Sequence, residues 1–137
     1  MEFHKISPQM ILLGFVLLAI LDLSIMLVDA VFIGQGMIGF DSTEILGLLS
    51  LLISGLITGS ICVYRGGIRL NTYLSAIFYF VLYYLGLMLT SEIHIPFGLM
   101  IKGLTALISG TFLGNVFGSK LRNITQRNRV WKPNYRP

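Results

Sequence analysis

Asp22 and Asp29 lie inside an apolar run from Met10 to Ile33. At about 1.5 Å of rise per residue, a helix of that length can cross a bilayer. A carboxylate near the middle of such a span costs on the order of 2.5–3.5 kcal/mol on insertion scales. It is therefore kept where it meets protein, water or a counter-charge instead of lipid. Two kinds of chemistry are open to it. A carboxyl among hydroxyls can take up and release a proton or a cation, or it can serve only as a polar contact between helices.

Candidate partners follow from depth. Asp29 lies about four residues from the far end of the first span and Lys102 about five from the start of the last, each roughly 6–8 Å below the outer surface. Asp22 and Ser109 lie seven residues deeper on the same helical faces. Antiparallel alignment of these two helices predicts an Asp29–Lys102 ion pair, with Asp22 facing Ser109. Lys102 can alternatively snorkel outward, because a helical side chain leans toward its own N-terminus. Ser54, Tyr83 and Tyr84 come to a similar midplane depth and could add hydroxyls.

The elements that must hold these groups are four apolar segments. The first is Met10–Ile33, opened by Pro8 and closed by Gly34-Gln35-Gly36. The second is Ile45–Tyr64, preceded by Asp41-Ser42-Thr43-Glu44, which reads as a helix start. The third is Thr72–Leu89 and the fourth Phe97–Gly118, with Pro96 before it. Hydrophobic residues make up 55% of the 137-residue chain and charged residues only 12%. Soluble domains carry about a quarter charged residues, so the composition excludes an ordinary soluble domain. The length of the first run and Asp22 within it argue against a cleaved signal peptide. Short connections make neighbouring helices antiparallel.

Basic residues set the orientation. Lys5 precedes the first span, Arg65 and Arg69 occupy the second connection, and Lys120, Arg122, Arg127, Arg129, Lys132 and Arg136 follow the fourth. The other two connections hold Asp41, Glu44, Glu92 and His94 and no Lys or Arg. All basic segments thus fall on one side, which the positive-inside rule makes cytoplasmic. The expected fold is an all-α integral membrane protein of a bacterial or archaeal cytoplasmic membrane. Its four transmembrane helices form two antiparallel hairpins, N-in and C-in. Residues 1–9 form a cytoplasmic N-terminus, 10–119 the membrane domain, and 120–137 a basic tail.

An octapeptide repeats within it. Leu52-Ile53-Ser54-Gly55-Leu56-Ile57-Thr58-Gly59 and Leu107-Ile108-Ser109-Gly110-Thr111-Phe112-Leu113-Gly114 share L-I-S-G-x-x-x-G, in helices of the same direction. The two hairpins therefore read as a parallel pseudo-repeat. Gly55, Gly59, Gly103, Gly110, Gly114 and Gly118 supply small-xxx-small faces. In lipid such faces let backbones approach closely, either inside the unit or against a partner.

The remaining signals exclude more than they assign. Cys62 is the single cysteine, so neither an internal disulfide nor a cysteine-based metal cluster forms within one chain. Glu92 and His94 are too few for a metal, and neither a phosphate loop nor a nucleophile–base pair is recognisable, so no cofactor or enzyme activity is expected. Aromatics of the third span (Tyr73, Phe78, Tyr79, Phe80) read as packing and an interfacial belt. The basic tail, with Trp131 and Tyr135, reads as an anchor to anionic lipid or a strap onto a cytoplasmic partner. Nucleic acid is not the expected partner.

The Gly/Ser-rich second helix running into Arg65-Gly66-Gly67, with a final helix ending Gly114-x-x-x-Gly118, resembles the YrzE-like small membrane proteins of Gram-positive bacteria. The matching stretches are Ser54 to Gly67 and Gly103 to Gly118. That family has no assigned activity, so the resemblance implies a four-helix inner-membrane protein. Asp22, Asp29 and the basic tail are departures from it. The small multidrug exporters share length, helix count and an acidic residue in helix one, but not the residues around it.

Two functions are carried forward. The first is a non-enzymatic accessory or assembly subunit of a larger membrane complex, docking through its Gly/Ser faces and basic tail. The second is a small oligomeric proton- or cation-coupled transporter or channel built on Asp22.

Overall fold

The structure, a computed structural model, describes residues 6–90 and 95–130. They form four helices: α1 Pro8–Gly34, α2 Thr43–Tyr64, α3 Arg69–Thr90 and α4 Phe97–Val130. A short 3₁₀ turn at Phe40–Ser42 leads into α2. All four are long and apolar enough to cross a membrane.

Local chemistry sets their ends. Pro8 occupies the first turn of α1, where no intrahelical amide is needed. α1 and α2 both stop in Schellman turns whose C′ residue is a glycine at positive φ, Gly36 at 71° and Gly66 at 98°. The Gly36 and Met37 amides donate to the Ile33 and Phe32 carbonyls; those of Gly66 and Gly67 donate to Val63 and Cys62. α3 begins three residues before the expected Thr72, and the Thr72 hydroxyl bonds the Arg69 carbonyl.

α4 differs most from expectation. It runs to Val130, twelve residues past Gly118. Neither Pro nor Gly occurs between Gly118 and Pro133 to stop it. Lys and Arg are good helix formers, and Arg127 and Arg129 in its last turn suit the negative end of the helix dipole.

The central seam joins α2 to α4, which run in the same direction. A Cβ on Gly55 would press on the Leu107 carbonyl, and one on Gly59 on the Thr111 carbonyl, both at 2.8 Å. Reciprocally, a Cβ on Gly110 would strike the Leu52 carbonyl and one on Gly114 that of Leu56. Position four of each octapeptide thus sits on position one of the other, and position eight on position five. The repeat packs against itself about a local two-fold axis along the helices. Gly118 continues the register against Ser60, and the Ser60 hydroxyl reaches the Gly114 carbonyl at 3.2 Å. Backbones this close gain dispersion and Cα–H···O contacts, the forces left for association in lipid. Gly103 instead faces the Tyr84 and Phe80 rings of α3.

The other helices close a four-cornered bundle. α1 packs on α2 and α3, α4 on α2 and α3, and α1 and α4 hold opposite corners with almost no contact. Leu18, Leu51, Ala76, Tyr79, Phe80, Tyr84 and Leu107 form the apolar core. Small polar groups share the interior: Asp22, Ser50, Ser54, Thr58, Asn71, Thr72, Ser75, Thr111 and Asn115 are all buried. Large apolar side chains such as Leu23, Leu27, Val81, Leu85 and Phe112 point outward.

Candidate functional site

Three helices converge on Asp22, in the middle of α1 and fully buried. From α2, the Ser50 hydroxyl donates to Asp22 Oδ1 at 2.5 Å. From α3, the Tyr79 hydroxyl donates to Oδ2 at 2.6 Å. No basic side chain reaches the carboxyl among the described residues.

The local sequence explains this convergence. Gly14, Leu18 and Asp22 form the buried i, i+4 stripe of α1. Ser50, Ser54, Thr58 and Cys62 form the corresponding stripe of α2, and Asn71, Ser75 and Tyr79 that of α3. Small residues on α1 and α3 let these two helices approach. A Cβ on Gly14 would collide with Ser75, whose hydroxyl bonds the Ile11 carbonyl at 2.8 Å.

The polar interior continues past Asp22 toward the Arg65 end. The Ser54 hydroxyl bonds the Ser50 carbonyl within its own helix. Thr72 donates to Asn115 Oδ1 at 2.8 Å, tying α3 to α4. Thr58 Oγ1, Asn71 Oδ1 and Asn115 Nδ2 are buried without a partner among the described residues. Toward the other end, Met26, Leu51, Tyr83, Tyr84 and Glu44 line a cleft of about 200 Å³. Two of its lining residues, Tyr83 and Met26, meet hydroxyl to Sδ at 3.6 Å one helical turn from the Asp22–Tyr79 bond. Comparison with protein-family models, curated proteins and solved structures finds no match.

Several expected pairings are corrected. Asp29 does not meet Lys102, because α1 and α4 sit at opposite corners. Lys102 Nζ pairs with Glu44 Oε1 at 2.8 Å. Both side chains are largely exposed, 62% and 48%, so the pair contributes at most about 1 kcal/mol. Asp29 is half-buried, and no described side chain pairs with it. Ser109 is exposed on α4 and does not face Asp22. Ser54 and Tyr83 lie on the correct faces but one turn from the carboxyl; Ser50 and Tyr79 hold it instead.

The repeat itself contained the signal for Lys102. Gly110 on Leu52, Gly114 on Leu56 and Gly118 on Ser60 all pair residues 58 apart, and so do Lys102 and Glu44. Extending the glycine register by two turns finds the ion pair. At the basic end Arg65, Arg122 and Arg129 line one concavity. Arg69 bonds the Ser119 hydroxyl at 3.2 Å. Lys120 and Arg127 are exposed on α4, whereas Lys132 and Arg136, like Lys5, Glu92, His94, Trp131 and Tyr135, lie outside the described residues.

Proposed function

We propose that this chain is an integral membrane protein of two antiparallel hairpins, with its basic end cytoplasmic and Asp22 as a proton- or cation-exchanging carboxyl at its centre. The observation that carries this reading is the company of Asp22: a fully buried acid held by two hydroxyls and no described cation. A hydroxyl both donates and accepts. Ser50 and Tyr79 can therefore bond a carboxylate as donors, and one of them can turn to accept from a carboxylic acid. An arginine in their place would bond the charged form alone. The cleft one turn away offers approach from the Glu44 end, and the buried Ser54, Thr58, Thr72 and Asn115 extend the polar path the other way. Four helices seldom enclose a continuous pathway, so the transporting unit is an oligomer.

The test is dissipation of a pH gradient in proteoliposomes. Asp22→Asn keeps the shape of the side chain and removes its titration. Wild type is expected to carry flux and the variant to lose nearly all of it. Equal traces for the two end the transport reading.

An accessory or assembly role stands second, favoured by Asp29. That half-buried carboxyl continues the Asp22 face of α1 toward the far end of the helix, where no described side chain pairs with it. A cationic group from a neighbouring subunit would complete it. The glycines lend this role no support, since Gly55, Gly59, Gly110, Gly114 and Gly118 are spent within the α2–α4 seam and Gly103 against the α3 rings. Pull-down in mild detergent should then recover a stoichiometric complex from wild type and lose it with Asp29→Asn. A partner retained equally by both argues against docking through this residue.

A further inference from the structure

At the basic end α2 stops and α4 does not. The seam register places Arg122 of α4 against Tyr64, the last residue of α2. Gly66, at φ 98°, then turns the chain away. α4 continues, and Arg122, Thr125, Gln126 and Arg129 recur at i, i+3, i+4 and i+7 along one of its faces. That face, with Tyr64, Arg65 and Gly66, encloses a concavity of about 210 Å³.

Three arginines therefore border one small space, and among the described residues no acidic side chain lines it. From Arg65 to the C-terminus, Glu92 is the single acidic residue in the sequence. The arginines are not needed as helix caps, because the Arg65, Gly66 and Gly67 amides already bond the Ile61, Val63 and Cys62 carbonyls. Like charges gathered around a hollow repel unless an anion lies between them. Guanidinium is planar and matches phosphate oxygens two at a time. Thr125, Gln126 and Tyr64 add neutral donors.

We propose that Arg65, Arg122 and Arg129 form a phosphate-binding site at the basic end of the bundle. The ligand is a phosphate group, carried by an anionic lipid headgroup or free in solution. The site is independent of Asp22 and of any flux through it.

Native mass spectrometry of the detergent-solubilised full chain, with phosphatidylglycerol or phosphatidylcholine added, tests the lipid source. Thermal shift with inorganic phosphate tests the soluble one. The variants are Arg122→Gln/Arg129→Gln and, as a charge control, Arg127→Gln. Arg127 lies about 140° around the helix from the Arg122–Arg129 stripe at roughly 100° per residue. Wild type and Arg127→Gln should retain one phosphatidylglycerol and no phosphatidylcholine, with the double variant about tenfold weaker or more. If phosphatidylglycerol is not retained, but phosphate stabilises wild type and Arg127→Gln and not the double variant, the site stands with a soluble ligand. The proposal is overturned if neither ligand binds, or if Arg127→Gln weakens binding as much as the double variant. If the double variant does not elute as a folded protein, Arg65→Gln, on the other helix, gives the same reading.

Discussion

Gly110→Leu should unfold the bundle more readily than any change of similar size elsewhere. A Cβ there meets the Leu52 carbonyl, a backbone atom that cannot swing aside, and the next turn repeats the problem at Gly114 and Leu56. The helices must separate along the whole seam, which loses the Ser60–Gly114 bond and the reciprocal Gly55 and Gly59 contacts together. Overpacking typically costs about 1–3 kcal/mol, and a side chain driven into backbone sits at or above the top of that range. Gly86→Leu on α3 is the comparison, because nothing lies within 4 Å of a Cβ there. Thermal denaturation in one detergent should show a large fall for the first and almost none for the second. Similar shifts for both would mean that the seam is not what holds the helices.

Asp22→Ala carries the second large effect. It strips two hydroxyls of their acceptor in a layer with no solvent access. Ser50 can recover by bonding its own helix, as Ser54 does, but the Tyr79 hydroxyl has no such local choice. An unsatisfied buried hydroxyl costs about 1–3 kcal/mol, and the small cavity left by the carboxyl adds to it. Stability should fall by roughly 2–4 kcal/mol in Asp22→Ala and by much less in Asp22→Asn, whose amide still bonds both hydroxyls. Chemical denaturation in mixed micelles measures both. Equal losses in the two variants would show that the charge of Asp22, and not its hydrogen bonding, holds the three helices.

The bundle was more legible in the sequence than its centre. Apolar runs, Pro8, Pro96 and the glycines after the first two spans located four helices to within a few residues at most ends, because each signal acts locally. The end of α4 was missed because a run of basic residues reads equally as a solvated tail and as a continuing helix. The partners of Asp22 depended on depth, and depth counted from segment ends drifts. An error of three residues at the start of α3 is nearly one turn, which separates Tyr83 from Tyr79. The Asp29–Lys102 pairing failed for a different reason: matching depths do not say which corners of a bundle two helices occupy. The repeat did hold that information, in the offset between its two copies, once the copies are packed on each other.

The same seam has a consequence for how copies of this chain meet. Each octapeptide is a complete binding surface for the other, and the link between them keeps the local concentration of each far above any expression level. Association is then intramolecular and insensitive to dilution. Two chains could trade their second halves and form every seam contact again, with no new bond made or lost. Only the connection between the halves chooses between the closed single chain and the exchanged pair. Lengthening or stiffening the turn at residues 65–68, between α2 and α3, would move that balance without touching either octapeptide of the seam.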